Sequence, residues 1–154
     1  MAAIRVLEKN DIVQILAFPL AKNEPAWSQK NLEDVLTGVS DGGYLAYVGV
    51  DDSTSAVVSY AVANYIFDQG DVQNVVVHPL FRGKSLGRKL LQTLISGLVD
   101  QGVKTLFLEV RHSNTVAINL YQSMGFKCIQ KRRDYYPGVD GVREDAWVFS
   151  LACL

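Results

Sequence analysis

The chain has 154 residues, of which 49% are hydrophobic and 20% charged, and its formal net charge at pH 7 is -1. That length suits one ordinary domain spanning residues 1–154, able to bury about 70% of the surface of its unfolded form, and the composition excludes a disordered or fibrous protein. Without a basic excess there is no electrostatic footprint for nucleic acid, although the run Lys131-Arg132-Arg133 could meet an acidic partner or a phosphate. Cys128 and Cys153 make neither a disulfide framework nor a metal-ligand set and read as reduced thiols. Glu8, Lys9 and Asp11 interrupt any signal-peptide core, and no run reaches the roughly 18 apolar residues of a membrane span. The expectation is a cytoplasmic protein without a metal, a membrane or a nucleic-acid partner.

In chain order, residues 3–7 read as an opening strand, and Asn10 or Asp11 can cap a helix whose apolar face is Ile12, Ile15, Leu16 and Phe18. Ser28 can cap a second helix carrying Leu32, Val35 and Leu36, with Gly38 as its left-handed exit. Residues 44–50 and 56–67, separated by a polar turn, predict a β-hairpin, and residues 72–77 supply the next strand through a turn around Gln69 and Gly70. Between Lys84 and Gln101, Leu86, Leu90, Leu91, Leu94, Ile95 and Leu98 recur at helical spacing, and Gly102 ends the helix. The apolar run 105–110 predicts a central strand. Ser113 or Asn114 then caps a helix to Met124, with Gly125 as its stop. Strands at 127–135 and 145–151 complete an α/β (α+β) order of β-α-α-β-β-β-α-β-α-β-β, a mixed and mostly antiparallel sheet with helices on both faces. No internal repeat or linker divides it.

The chemistry concentrates between residues 75 and 125. Val75-Val76-Val77 run into a loop, Arg82-Gly83-Lys84-Ser85, that opens the long helix at Leu86-Gly87-Arg88. Loop N–H groups at the positive end of a helix dipole, with Arg82, Lys84 and Arg88 beside them, suit a phosphate or pyrophosphate; solvated charges on an ordinary turn are the plainer alternative. Gly83-Lys84-Ser85 also imitates the end of a nucleotide-binding P-loop, but that motif needs a glycine where His78 stands, so a kinase or NTPase is excluded. Glu109 lies at the C-terminal end of an apolar strand, where a carboxylate is costly unless paired or used. By itself it fits an ion pair with Arg111 or a neighbouring strand as well as it fits catalysis. Tyr121, on the following helix, is by itself an ordinary half-buried aromatic, while His78 and His112 have no motif around them.

Arg82-Gly83-Lys84-Ser85-Leu86-Gly87 resembles the Q/R-x-x-G-x-G/A signature of the GNAT N-acetyltransferase superfamily, and the element order is similar to the GNAT fold. Leu108-Glu109-Val110-Arg111, Ser113-Asn114, Ala117-Ile118, Leu120-Tyr121, Gly125-Phe126 and the block Arg133-Asp134-Tyr135-Tyr136-Pro137 resemble its RimI-like branch, the ribosomal-protein alanine N-terminal acetyltransferases. Residues 141–146 extend that likeness, which covers roughly the last half of the chain. Earlier, Pro25-Ala26-Trp27-Ser28 looks like the branch's Pro-Trp-Ser substrate loop with one residue inserted.

The resemblance implies acetyl-CoA as co-substrate and direct transfer to the N-terminal amine of a protein. It implies that Gly83, Lys84, Ser85, Leu86, Gly87 and Arg88, with Arg82, hold the pyrophosphate, that Val75, Val76 and Val77 align the thioester through backbone N–H groups, and that Asn114 contacts the coenzyme. Glu109 matches the general base, Tyr121 the general acid, and Trp27, Ser28, Tyr135 and Tyr136 would line the acceptor groove. Ser85 departs from the signature, which has glycine there, and at φ > 0 its Cβ would cost about 1 kcal/mol or more. A small-amine or lysine acetyltransferase and a non-catalytic acyl-CoA sensor are the rival readings. The sensor needs neither Glu109 nor Tyr121.

Overall fold

A computed structural model describes residues 2–19, 27–138 and 141–153. Seven strands form one sheet in the order β1-β2-β3-β4-β5-β7-β6. They are β1 (Ala2–Val6), β2 (Tyr44–Asp51), β3 (Val57–Ile66), β4 (Gln69–Val77), β5 (Thr105–Arg111), β6 (Lys127–Tyr136) and β7 (Glu144–Ala152), with helices α1 (Ile12–Leu16), α2 (Gln29–Asp41), α3 (Leu86–Asp100) and α4 (Thr115–Ser123). The expected order of elements is borne out. Every neighbouring pair of strands is antiparallel except β4 and β5.

The period-2 alternation of the strands sends their side chains into two cores. Ala61 and Ala63 of β3, Leu106, Leu108 and Val110 of β5 and Phe149 of β7 meet Leu90, Leu91, Leu94 and Leu98 of α3 and Ile118 and Tyr121 of α4. On the other face Val48, Tyr60 and Val62 pack against Ile12 and Ile15 of α1 and Leu32 and Val35 of α2. Four leucines of α3 at zero exposure mark the centre of the first core. Each such leucine withdrawn from water contributes about 1.5–3 kcal/mol.

One charge is buried beneath the second core's entrance. Asp11 is 2% exposed and accepts two bonds from Arg5, at 2.8 Å each, and one from the Glu8 backbone N–H at 2.7 Å. Asp11 therefore closes the 3-10 turn Lys9–Asp11 rather than capping α1 with its side chain.

Three local expectations are corrected. Helix α2 runs through Gly38 to Asp41 and exits at Gly42 (φ 97°); Gly38 is needed because the Tyr44 ring lies where its Cβ would be. The β3–β4 connection turns at Phe67 (φ 54°) and Asp68, leaving Gln69 and Gly70 inside β4. Gly70 answers packing, since a Cβ there would come 2.8 Å from the Leu106 side chain of β5. Helix α3 starts at Leu86, two residues late, because Ser85 is left-handed.

What positions the site is the junction of β4 and β5. They pair only at Gln69↔Thr105, Gly70↔Leu106 and Asp71↔Phe107. The register against β3 then shifts between Val62 and Ala63, passing over Gln73, and a bulge of this kind bends and twists its strand. Beyond it β4 continues along β3 while β5 continues along β7, so the two strands part.

Candidate active site

The gap between the parted strands opens into a cavity of about 1030 Å³. Val75, Val76 and Val77 form one wall, and Leu108, Glu109, Val110 and Arg111 the facing one. Arg82, Gly83, Ser85, Leu86, Gly87 and Arg88 line it too, with Asn114, Leu120 and Tyr121 of the α4 segment and Tyr136 and Pro137 after β6. Residues separated by some sixty positions in the chain are thus gathered around one space.

The loop end is shaped for an anion. Gly83 (φ 77°) and Ser85 (φ 62°) both take the left-handed conformation, which turns the chain sharply before α3, a helix of 15 residues whose dipole is positive here. Ser85 stands as N-cap without a side-chain capping bond. A Cβ at Gly87 would meet the Leu120 and Val77 side chains at 3.6 and 3.7 Å, an ordinary van der Waals contact. Arg88 donates to Ser123 Oγ at 2.6 Å, tying the first turn of α3 to the end of α4, and Arg82 Nε donates to the Val77 carbonyl at 3.1 Å. Lys84 is outside the lining; its Nζ lies 5.4 Å from the Phe81 ring centre.

Because a non-glycine left-handed residue costs about 1–2 kcal/mol, Ser85→Gly should raise stability. The gain stays below about 1 kcal/mol, because glycine also frees the unfolded chain. The same change removes a Cβ from the loop and should tighten acetyl-CoA binding; calorimetry returning an unchanged or weaker Kd would refute that.

At the middle of the cavity, Tyr121 is 8% exposed, with its ring 5.7 Å from Phe126 and 6.4 Å from Phe149. Burial, with a smaller effect from Tyr136, pushes its phenol up to about 12, so it holds its proton at every physiological pH. Glu109, whose side chain is 32% exposed, lies 3.4 Å from Arg132 Nη1 of β6. Its ion pair is therefore with β6, which lies beyond β7 in the sheet, while Arg111 pairs with Glu144 at 3.4 Å. Burial first, and the Glu109 charge second, push the Tyr136 phenol up, which puts that ring within electrostatic reach of the carboxylate.

Asn114 caps α4, its Oδ1 accepting from the Ala117 N–H at 3.2 Å, and also lines the cavity. Tyr135 stands outside the lining, half exposed, against Tyr136 with ring centres 5.2 Å apart. Trp27 packs on the second core, and Ser28 caps α2, its Oγ accepting from the Asn31 N–H at 3.0 Å; neither lines this cavity. Pro25 and Ala26 lie outside the described residues. His78 closes the turn after β4, its Nδ1 accepting from Leu80 at 3.2 Å. Among residues not singled out for the site, Gln73, Asn74 and Asn119 also line it. They carry no motif; the parting of the strands opens Gln73 and Asn74 to the cavity, and Asn119 lines it from α4.

The profile of the acetyltransferase (GNAT) family matches residues 10–126. The chain belongs to that family. Over 153 residues, covering 98% of this chain and 97% of the relative, it is 37% identical to the ribosomal protein bS18-alanine N-acetyltransferase of Escherichia coli (strain K12). The crystal structure of the ribosomal-protein-S18-alanine N-acetyltransferase from Escherichia coli superposes with a TM-score of 0.81 at 36% identity, over 99% of this chain and 94% of that one. A GNAT superfamily phosphinothricin acetyltransferase from Sinorhizobium meliloti, solved with AcCoA, shares the fold at a TM-score of 0.84 and 19% identity, over 98% of this chain and 88% of that one. This GNAT protein is an acetyl-CoA-dependent N-acetyltransferase. Among the described residues no group of acidic, histidine or cysteine side chains could hold a metal, and no helix is long and apolar enough to cross a membrane.

Proposed function

We propose that the enzyme acetylates the N-terminal α-amine of a ribosomal protein beginning with alanine, with Glu109 as general base and Tyr121 as general acid. The observation that carries this is that the carboxylate and the phenol open onto one cavity that also reaches the 82–88 loop. The relatives' printed activities support the acceptor class. The cavity fits acetyl-CoA in its donor set: backbone amides and arginines at one end, apolar strand walls in between.

In this reading the 82–88 loop and Arg88 hold the pyrophosphate, Asn114 contacts the coenzyme, and the main chain of residues 75–77 orients the thioester, which supplies the activated acyl group. Tyr136 and Pro137 border the acceptor. The arriving ammonium exchanges with Arg132 as the partner of Glu109; Arg132, 42% exposed, moves into water at little cost. Glu109 then removes a proton, directly or through one water. An α-amine needs little help here, since its pKa is about 8 against about 10.4 for lysine.

The freed amine attacks the thioester carbonyl and forms the C–N bond, its nitrogen gives up a second proton to water, and Tyr121 donates to the sulfur as the C–S bond breaks. A phenol at about 12 facing a thiol near about 8.5 makes complete transfer uphill by about 5 kcal/mol. Tyr121 therefore acts as general acid by sharing its proton with the sulfur in the transition state and keeping it afterwards, and the released thiolate takes its proton from water. Tyr121→Phe keeps the packing on Phe126 and Phe149 and should lower kcat about 10- to 100-fold with the acetyl-CoA Kd unchanged. Stopped-flow turnover with calorimetry separates the two effects, and an unaltered kcat rules out the acid role.

The acceptor is tested with acetyl-CoA and released thiol as readout. An alanine-initiated peptide of ribosomal protein bS18 should be turned over faster than polyamines or internal-lysine peptides. Preference for a small amine or lysine would replace the acceptor, and no turnover with tight acyl-CoA binding would favour a sensor.

A further inference from the structure

Glu144, the first residue of β7, is outside the cavity, yet it holds two parts of its wall. Its Oε1 accepts from the Ser113 N–H at 2.8 Å, just before the Asn114 cap of α4. Its Oε2 lies 3.4 Å from Arg111 Nη1, and the same nitrogen donates to the Pro137 carbonyl at 3.1 Å. The Arg111 guanidinium carbon lies 4.4 Å from the centre of the Tyr136 ring. Arg111, Ser113 and Asn114 line the cavity from the β5–α4 side, while Tyr136 and Pro137 line it from the end of β6.

The side chains of Glu144 and Arg111 are only 19% and 18% exposed, so the pair is partly shielded from the water that weakens surface ion pairs. Its hydrogen bond with Ser113 first, and Arg111 in addition, hold the Glu144 carboxyl below the usual carboxylate range. One carboxylate thus holds both the last residue of β5 and the turn into α4, and through Arg111 the link runs on to Pro137 at the end of β6. Displacing either segment alone would break a charge-assisted bond.

We propose that Glu144 is a positioning residue that couples the two substrate sides of the cavity, so that filling one favours filling the other. This rests on the assignment of sides made above, with Asn114 towards the coenzyme and Tyr136 and Pro137 towards the acceptor. The coupling is reciprocal, because a wall ordered by either ligand presents the other with a settled partner. Glu144 touches neither ligand and acts through Ser113 and Arg111.

The test measures, by calorimetry, the Kd of an alanine-initiated peptide with and without saturating CoA. In the parent protein CoA should tighten the peptide at least about fivefold. In Glu144→Ala the ratio should fall close to one, and Glu144→Gln, which keeps an acceptor for Ser113 but loses the charge facing Arg111, should fall between them. Far-UV circular dichroism and the CoA Kd of each variant confirm that it is folded and binds coenzyme. An undiminished ratio in folded Glu144→Ala, or a ratio of one in the parent, would overturn the coupling while leaving the acceptor intact. A peptide bound in neither condition, with CoA binding normal, would overturn the acceptor class and the coupling together.

Discussion

Glu109→Gln should lower kcat at pH 7 by about 100- to 1000-fold, within the range that a positioned general base contributes. The substitution keeps the shape of the side chain at the end of β5 and removes its ability to take a proton. An α-amine of pKa about 8 is about nine-tenths protonated at pH 7, so the variant must wait for the small free-amine fraction. Its rate should then rise about fivefold from pH 7 to 8 and flatten above about 8.5, once the acceptor titrates by itself. The parent should show a shallower rise over that interval. Initial rates against pH, with acetyl-CoA saturating, check both the depth of the loss and its recovery. Parent-like turnover at pH 7 would remove Glu109 from the role of base. Because Glu109 also pairs with Arg132 at 3.4 Å, Arg132→Gln is a useful control. It frees the carboxylate without removing it, and its kcat should stay near that of the parent.

The largest loss of stability is expected at the other end of the molecule. Asp11→Ala should cost about 3 kcal/mol, in the range for breaking one partner out of a buried pair. The variant loses two charge-assisted bonds from Arg5 and leaves the Glu8 N–H without its acceptor. Arg5, with its side chain 39% exposed, can turn to water, which keeps the cost from rising further. For a chain of this length 3 kcal/mol corresponds to a fall in Tm of about 6–12 °C. Asp11→Asn, which keeps one carbonyl oxygen, should fall roughly halfway. Thermal melts decide the point, and a shift below about 2 °C would show that the pair stabilises nothing. The cavity is far from this cluster in the sheet order, so kcat at 25 °C should be unchanged in the folded variant.

Elements whose identity depends on local pattern were legible before any coordinates. The leucine spacing of α3, the apolar run of β5 and the glycine stops after α3 and α4 each bury or end where the pattern implies. Ser85 stands where the motif has glycine, which leaves open a positive φ or a close approach of ligand, and its φ is 62°. Errors came where a glycine has two meanings. Gly38 and Gly70 serve close packing against Tyr44 and Leu106, and neither contact is visible from neighbours in the chain. For the site, the residues with motif support could be named, but not what holds them. Across β7 the registers align Arg132 with Arg111 and Gln130 with Glu109, so the pair of Glu109 with Arg132 is a diagonal contact that no spacing along the chain announces. Glu144 lies in the 141–146 block that extends the resemblance, but its role is not legible there, because its partners are 31 and 33 residues away.

The early parting of β4 from β5 also bears on how this enzyme can drift over generations. A wall that contributes main-chain groups offers almost the same donors whichever side chains project from it, because every residue but proline carries an N–H. Val75, Val76 and Val77 can therefore be exchanged for other strand formers with little penalty to a ligand held that way, while proline at any of the three would delete a donor outright. Glu109 and Tyr121, in the roles proposed for them, are under the opposite regime, since a carboxylate or a phenol has no understudy. Inheritance of the fold and inheritance of the activity are thus guarded by different positions, and a descendant could keep the cleft long after losing Glu109 or Tyr121.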